Sequence, residues 1–387
     1  MEYAFWISAF LVVYPYLIYP ALVWVLARLF GTHGVPPATD PGSVPTVSML
    51  IVAHNEETLI EQRIKSALAT DYPAGKLQIV IASDGSTDAT VSIVERYADR
   101  GVTCLAFDER RGKSAALRAA SERLTGDVVV LSDANSYMRP NAVKAMARWF
   151  LDPAVGVVCG RLILADGKGN KNCDGLYWRF ETMLKESESR LGALLGSNGA
   201  IYSIRRELIA HLPESAIVDD FELPLIAKIR TDCDLLFEGE AVADEETPPK
   251  ISWEFNRRAR IGAGVFQSLD RLYPLLNPRR GWISFTFVSH KLLRWIGPFL
   301  LIVVLATNLA LLSQPFFQWL MILQAAFYLF ALAGLVMPIG VWPKVARLPT
   351  LFVTVNAALF VGFGRWLSGR HSATWQPTQR ADSVAST

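Results

Sequence analysis

The sequence predicts an α/β domain built on a doubly wound, mostly parallel sheet, with apolar helices at both ends of the chain that are long enough to cross a bilayer. Three observations carry this. Between residues 46 and 133, short apolar runs alternate with helical stretches, the pattern of strand and crossover helix. Three of those runs end in acids and amides (Asn55 and Glu56, Asp84, Asp133 and Asn135), which places polar groups along one edge of the sheet. Residues 3–30, 296–313 and 316–342 hold no charged side chain except Arg28.

Composition narrows the classes. The 387 residues carry 38 Lys+Arg against 36 Asp+Glu, so there is no global positive field for nucleic acid. A hydrophobic fraction of 51% and 11 Trp are high for a soluble protein, and the excess sits at the two ends.

Taken in order, residues 1–30 read as an N-terminal transmembrane helix that tolerates Pro15 and Pro20. Residues 31–45, "GTHGVPPATDPGSVP", form a linker too rich in Gly and Pro for helix or strand. Residues 46–250 form the sheet domain: strand "TVSMLIVAHNEE", helix to about Thr70, strand "LQIVIASDGSTD", helix to about Arg100, strand "VTCLAFDER", helix to about Leu124, strand "DVVVLSDAN". Residues 251–295 read as basic amphipathic helices at the membrane interface. Residues 296–366 hold two spans, turning at Gln314 and Pro315, and a third run at 348–364. Residues 367–387 are a tail.

Basic residues near the spans set the orientation. Arg28, the stretch from Arg257 to Arg280, Lys291, Arg294, Lys344, Arg347, Arg365, Arg370 and Arg380 can all share the cytosolic face, with the N-terminus outside. That predicts a multi-pass protein of the cell inner membrane with a cytosolic domain. The run 348–364 then dips into the interface, with a full crossing as the alternative. Cys104, Cys159, Cys173 and Cys233 lack metal-ligand spacing and are expected as reduced thiols.

The stretch "GDVVVLSDANSYMRP" carries the first hint of chemistry. Val128 to Leu131 suit a strand buried on both faces, and Asp133 and Asn135 follow at its end. Such residues make turns through their own backbone, or they mark a ligand site beyond the strand.

In order along the chain, "VSMLIVAHNEE", "VIASDGSTDATVSIVERYA", "RRGKSAALRAA", "VVVLSDANS", "GSNGAIYSIRREL" and "VDDFELPLIAKI" resemble the successive motifs of inverting family-2 glycosyltransferases. The resemblance is to the membrane-embedded synthases of cellulose, chitin, hyaluronan and poly-N-acetylglucosamine, and covers roughly residues 46–270. It implies a GT-A-like fold, a nucleoside-diphosphate sugar donor of the UDP-sugar kind, a lipid bilayer, and a Mg²⁺ or Mn²⁺ ion that offsets charge on the departing diphosphate. It implies that Asn55, Glu56, Asp84, Lys113 and Asp133 bind the nucleotide sugar, and that Asp133 and Asn135 hold the metal. It makes Asp220 the general base, since displacement at the anomeric carbon needs a group to take the acceptor's proton. Gly196, Ser197, Asn198, Gly199, Asp219, Arg257 and Arg260 fall on the acceptor side, although Asp219 also suits a helix N-cap.

Four departures matter. Asn135 replaces the second acid of the metal motif, Ser83 precedes Asp84 where an acid is common, and Val218 opens the base motif. In the interfacial motif, Arg257 and Ile261 stand where Gln and a sugar-stacking Trp are usual, while Arg260 keeps its Arg. "RHSATWQPTQR", residues 370–380, resembles a Trp-containing tail of some of these synthases. The expected function is extension of an exported polysaccharide. Transfer of one sugar to a lipid acceptor is the alternative, and a non-catalytic nucleotide-sugar-binding assembly subunit is a third.

Overall fold

A computed structural model describes residues 1–32, 37, 43–165, 175–246, 251–336, 348–370 and 374. Most of the 31–45 linker, Cys173, the end of the 316–342 run, Lys344, Arg347, Arg380 and the tail motif other than Arg370 and Thr374 lie outside them. The chain forms two compact units: residues 24–249, 268–284 and 372–387 in one, and residues 1–23, 250–267 and 285–371 in the other.

The first unit holds an eight-stranded sheet in the order β3-β2-β1-β4-β7-β6-β8-β5. Its strands are β1 (Val47–Ala53), β2 (Leu77–Asp84), β3 (Val102–Phe107), β4 (Val128–Asp133), β5 (Ser136–Met138), β6 (Val155–Ala165), β7 (Tyr202–Arg205) and β8 (Asp234–Glu246). β3, β2, β1 and β4 run parallel, as the strand and helix alternation predicts. Every residue of β1 is buried, because helices cover both faces and an apolar run is the sequence that tolerates this. β6 and β8 are also parallel, whereas β7 and β5 enter antiparallel.

The helices of this unit are α2 (Ile60–Leu68), α3 (Thr90–Glu95), α4 (Lys113–Ser121), α5 (Ala142–Ala147), α6 (Gly175–Arg190) and α7 (Asp219–Thr231); α1 (Glu2–Phe30) lies mostly in the other unit. The apolar core runs between sheet and helices through Met49, Ile51, Ile64, Ile81, Val130, Val143 and Leu236. It contributes about 1.5–3 kcal/mol for each large aliphatic side chain removed from water.

Register brings the polar strand ends together. Ala53 pairs with Ser83 and Val52 with Asp133, so β1, β2 and β4 end side by side. The sheet also curls. The chain passes from Asp133 at the end of β4 to Ser136 at the start of β5 through Ala134 and Asn135 alone. Those two steps plus one reach at most about 11 Å. In the hydrogen-bonded order β7, β6 and β8 stand between β4 and β5, a path of roughly 19 Å if the sheet were flat. The far edge therefore bends back toward the tip of β4, carrying β8 with it.

The second unit is helical. Four helices are long and apolar enough to cross a membrane: Glu2–Phe30, Trp282–Ala310, Pro315–Leu335 and Leu348–Leu367. The second comprises α9 (Trp282–Thr286), a π-helical stretch (Phe287–Leu292) and α10 (Leu293–Ala310). The others are α1, α11 (Pro315–Val336) and α12 (Leu348–Leu367). The 348–364 run thus lies in a 20-residue helix, a length that suits a crossing. Between the two prolines of α1, Arg294 donates to the Pro15 carbonyl and lies over the Tyr16 ring. The basic amphipathic stretch is α8 (Ile251–Leu272). It meets α12 at Gly262 and Gly362, where a β-carbon on Gly362 would lie 2.7 Å from the Ala259 carbonyl oxygen. Small residues let the two backbones touch.

Candidate active site

The β-strand tips position the site. At the end of β1, Asn55 takes a positive φ of 53°, and its side-chain oxygen accepts from the Thr87 amide at 2.8 Å. The Asn55 amide donates to Ser86 Oγ, the Glu56 amide to Thr90 Oγ1 and the Glu57 amide to Asp88 Oδ2. The loops after β1 and β2 are thereby laced into one rim.

Asp84 ends β2 fully buried. Its Oδ1 accepts from the Arg111 amide at 2.7 Å and its Oδ2 from the Gly112 amide at 2.9 Å. Its carboxylate thus builds the turn that starts α4, and the first residue of α4 is Lys113. The resemblance implies that Asp84 binds the nucleoside, and in this structure its two oxygens accept from the loop amides.

Lys113 reaches the tip of β4. Its Nζ lies 2.7 Å from Asp133 Oδ1 and 3.3 Å from Asp219 Oδ2. The second contact is an ion pair without hydrogen-bond geometry. Burial works against the lysine's charge, but Asp133, Asp219 and Asp220 outweigh it and raise its pKa. Asp219 opens α7, whose N-cap is Val218 and carries no side-chain cap. The carboxylate of Asp219 faces Lys113 instead of capping the helix. Burial pushes its pKa up to about 6, with Lys113 opposing the rise and Asp220 and Asp133 adding to it.

The glycine loop closes the cluster. Gly199 donates its amide to Asp220 Oδ2 at 2.9 Å, and the Ser197 amide and hydroxyl both donate to the Asp220 carbonyl at 2.9 Å. Asn198 donates to the Gly160 carbonyl at 2.7 Å. A β-carbon on Gly199 would lie 3.3 Å from Asp220 Oδ2, 3.4 Å from Asp133 Oδ2 and 3.5 Å from Lys113 Nζ. Glycine lets two carboxylates and an ammonium draw in around this position.

Of the residues the sequence nominates, Lys113, Asp133, Asp219, Asp220 and Gly199 come together here. Asn55 and Asp84 shape neighbouring loops. Asn135 follows Asp133 and donates its side-chain amide to Glu245 Oε1 at 3.0 Å. Arg257 and Arg260 lie on α8, in the helical unit.

Three further residues belong to the site. Arg63 is fully buried, and its Nε donates to the Asp133 carbonyl at 3.3 Å; burial lowers its pKa to about 10. The signal for it was there, since Ile60, Arg63, Ile64 and Ala67 share the buried stripe of α2. Tyr202, wholly buried, has a hydroxyl with no partner among the described residues. Glu245 has no sequence signal, standing 110 residues from the side chain it meets.

The donor set suits a hard divalent cation. Asp133 Oδ2 and the Asn135 side-chain oxygen accept no hydrogen bond from the described residues. Among those residues no three His, Cys, Asp or Glu side chains converge on one point. Mg²⁺ and its like take one or two carboxylates from the protein and further oxygens from phosphate, which this arrangement fits.

These features define a GT-A-like α/β domain with an acidic, lysine-bridged cluster at the carboxyl ends of its parallel strands. Residues 48–208 match the family model described as Glycosyl transferase family 2. An N-acetylglucosaminyltransferase of Mesorhizobium japonicum is 26% identical over 299 residues, covering 72% of this chain and 68% of that one. A beta-monoglucosyldiacylglycerol synthase of a Nostoc species is 26% identical over 250 residues, covering 62% and 53%. The matches span about two thirds of the N-acetylglucosaminyltransferases' length. Among solved structures, the mannosyltransferase PcManGT from Pyrobaculum calidifontis, in complex with GDP-Man and Mn²⁺, aligns over 95% of this chain and 100% of its own, with TM-score 0.72 and 23% identity. That likeness is one of fold.

Proposed function

We propose that the protein is a membrane-embedded inverting glycosyltransferase, which moves a sugar from a nucleoside-diphosphate donor onto a growing polysaccharide, with its catalytic domain in the cytosol and its helices in the cell inner membrane. The observation that carries this is the convergence of Asp220, Asp133 and Lys113 on Gly199. One carboxylate can meet an acceptor while the other, with the lysine, meets a departing diphosphate.

The chemistry follows from the placement. The acceptor hydroxyl attacks the anomeric carbon from the side opposite the diphosphate, and Asp220 takes its proton as the new C–O bond forms. The bond to the phosphate oxygen breaks, and the nucleoside diphosphate leaves with the electron pair. Single displacement inverts the anomeric centre. The Gly199 amide holds Asp220 Oδ2, and Ser197 holds its carbonyl, so the base is oriented before substrate arrives. Lys113 brings a fixed positive charge toward the leaving side. A Mg²⁺ or Mn²⁺ ion held by Asp133 and the Asn135 carbonyl would supply further neutralisation of the diphosphate.

A second reading, single transfer to a lipid acceptor, draws on Ile261 at the place of the stacking aromatic and on the likeness to the Nostoc glycolipid synthase. A non-catalytic role would leave the convergence of Asp220, Asp133 and Lys113 on Gly199 without purpose.

The test is a panel of UDP- and GDP-sugars incubated with the purified protein in lipid, reading free nucleoside diphosphate and product size. Release of diphosphate with polymer supports the first reading, and release with a single-sugar glycolipid supports the second. No release with any donor in the presence of membrane lipid overturns both.

A further inference from the structure

We propose that Glu245 is a positioning residue for the divalent cation, resting on the cation site proposed above: by accepting the Asn135 amide hydrogen it fixes the Asn135 carbonyl as the second protein ligand.

The chemistry is one of orientation. A carboxylate only accepts hydrogen bonds, so the group of Asn135 that faces Glu245 Oε1 at 3.0 Å must be its NH₂. The amide oxygen is then turned to the other side, and no described residue donates to it. An asparagine free to flip would also present its nitrogen to the cation. One held by a carboxylate cannot. The hydrogen bond to a charged acceptor also polarises the amide and raises the electron density on its oxygen. The chain thereby recovers part of what it lost when an acid gave way to Asn135.

The fold brings the pair together without needing it. The curl of the sheet lays β8 beside the link between β4 and β5, and Glu245 pairs with Ser136, the neighbour of Asn135. That edge is already fastened by the backbone ladder from Ser136 to Met138 and by Arg139 on Asp244 at 3.4 Å. The Asn135 to Glu245 bond adds little to holding the strand, which leaves orientation of the amide as its effect.

The experiment measures Mn²⁺ binding by electron paramagnetic resonance, using the full-length protein in lipid nanodiscs with saturating UDP and, separately, GDP. Glu245→Ala should weaken Mn²⁺ binding by about 10- to 100-fold, the usual effect of losing such a partner, while Glu245→Gln, whose amide oxygen can still accept the Asn135 hydrogen, should keep more of it. The double variant Asn135→Asp with Glu245→Gln should restore it, because the introduced glutamine then donates its amide to the introduced aspartate, and the same contact holds with donor and acceptor exchanged. Unchanged Mn²⁺ affinity in Glu245→Ala overturns the assignment, as does a double variant that binds Mn²⁺ no better than Glu245→Ala. Wild-type protein that binds no Mn²⁺ with either nucleotide overturns the cation site itself and this role with it.

Discussion

A methyl group at Gly199 would meet Asp220 Oδ2 at 3.3 Å, Asp133 Oδ2 at 3.4 Å and Lys113 Nζ at 3.5 Å, so Gly199→Ala presses on the three charged groups of the site. Its kcat/KM is expected to fall on the order of 10²-fold, as small misplacements at a reacting centre do, with thermal unfolding unchanged. Normal turnover would show that the placement of these groups does not limit the reaction. Asp220→Asn should leave binding of nucleotide sugar near wild type, by calorimetry, while turnover drops by roughly 10²-fold or more. If binding falls equally, Asp220 serves the donor and not the acceptor. Asp219 differs in kind, because its pKa lies at about 6 against the ordinary 3.8. The folded state holds that proton more tightly than the unfolded state. Its contribution to stability is therefore full below 3.8 and is lost as pH rises through about 6. Asp219→Asn should gain stability relative to wild type as pH rises across that same window, read as unfolding temperature in nanodiscs. A constant difference across that range would contradict the assignment.

Among the elements, α7 carries both Asp219 and Asp220 and is anchored by a neighbour on the same helix. Glu222 is fully buried and pairs with Arg271 at 2.6 Å, and Arg271 also reaches Ser215 at 3.0 Å. Burial raises the Glu222 pKa and Arg271 counters it. Arg271→Met should cost about 2 kcal/mol by leaving Glu222 without its cation, and adding Glu222→Gln should recover most of that. Equal stability of the single and double variants would show that the pair does not anchor α7. Elements also show where sequence reading succeeds. The runs at β1 and β4 are apolar almost throughout because both faces are buried, and α2 shows its buried stripe at Ile60, Arg63, Ile64 and Ala67. Arg63 was legible there as the misfit in the stripe. β5 and β7 were not, since three or four residues with no marked periodicity become strands only when a neighbour supplies the ladder.

For the molecule as a whole, the proposed topology makes the donor cytosolic. Inverted membrane vesicles should turn over added nucleotide sugar, and sealed right-side-out vesicles should not. Activity in the right-side-out preparation alone would reverse the orientation. Product length tests the acceptor reading. Under the single-transfer reading, Ile261, which cannot stack on a sugar, leaves short products or single additions from the wild type and longer ones from Ile261→Trp, by chromatographic sizing. Long polymer from both would place chain retention elsewhere.

Local pattern was enough to read the apolar helices, the four parallel strands and the polar ends that crowd one rim, because burial on both faces and a period of two or 3.6 residues leave marks within a few positions. The resemblance to family-2 motifs nominated Lys113, Asp133, Asp219, Asp220 and Gly199, which lie up to 107 positions apart (113 to 220) yet meet within a few ångströms. How they meet is a property of the folded domain. Folding turned Asp84 inward to hold the Arg111 and Gly112 amides, and it curled the sheet until Glu245 reached Asn135. Such contacts depend on strand order and curvature, which are set by packing across the whole domain and leave no local pattern to read.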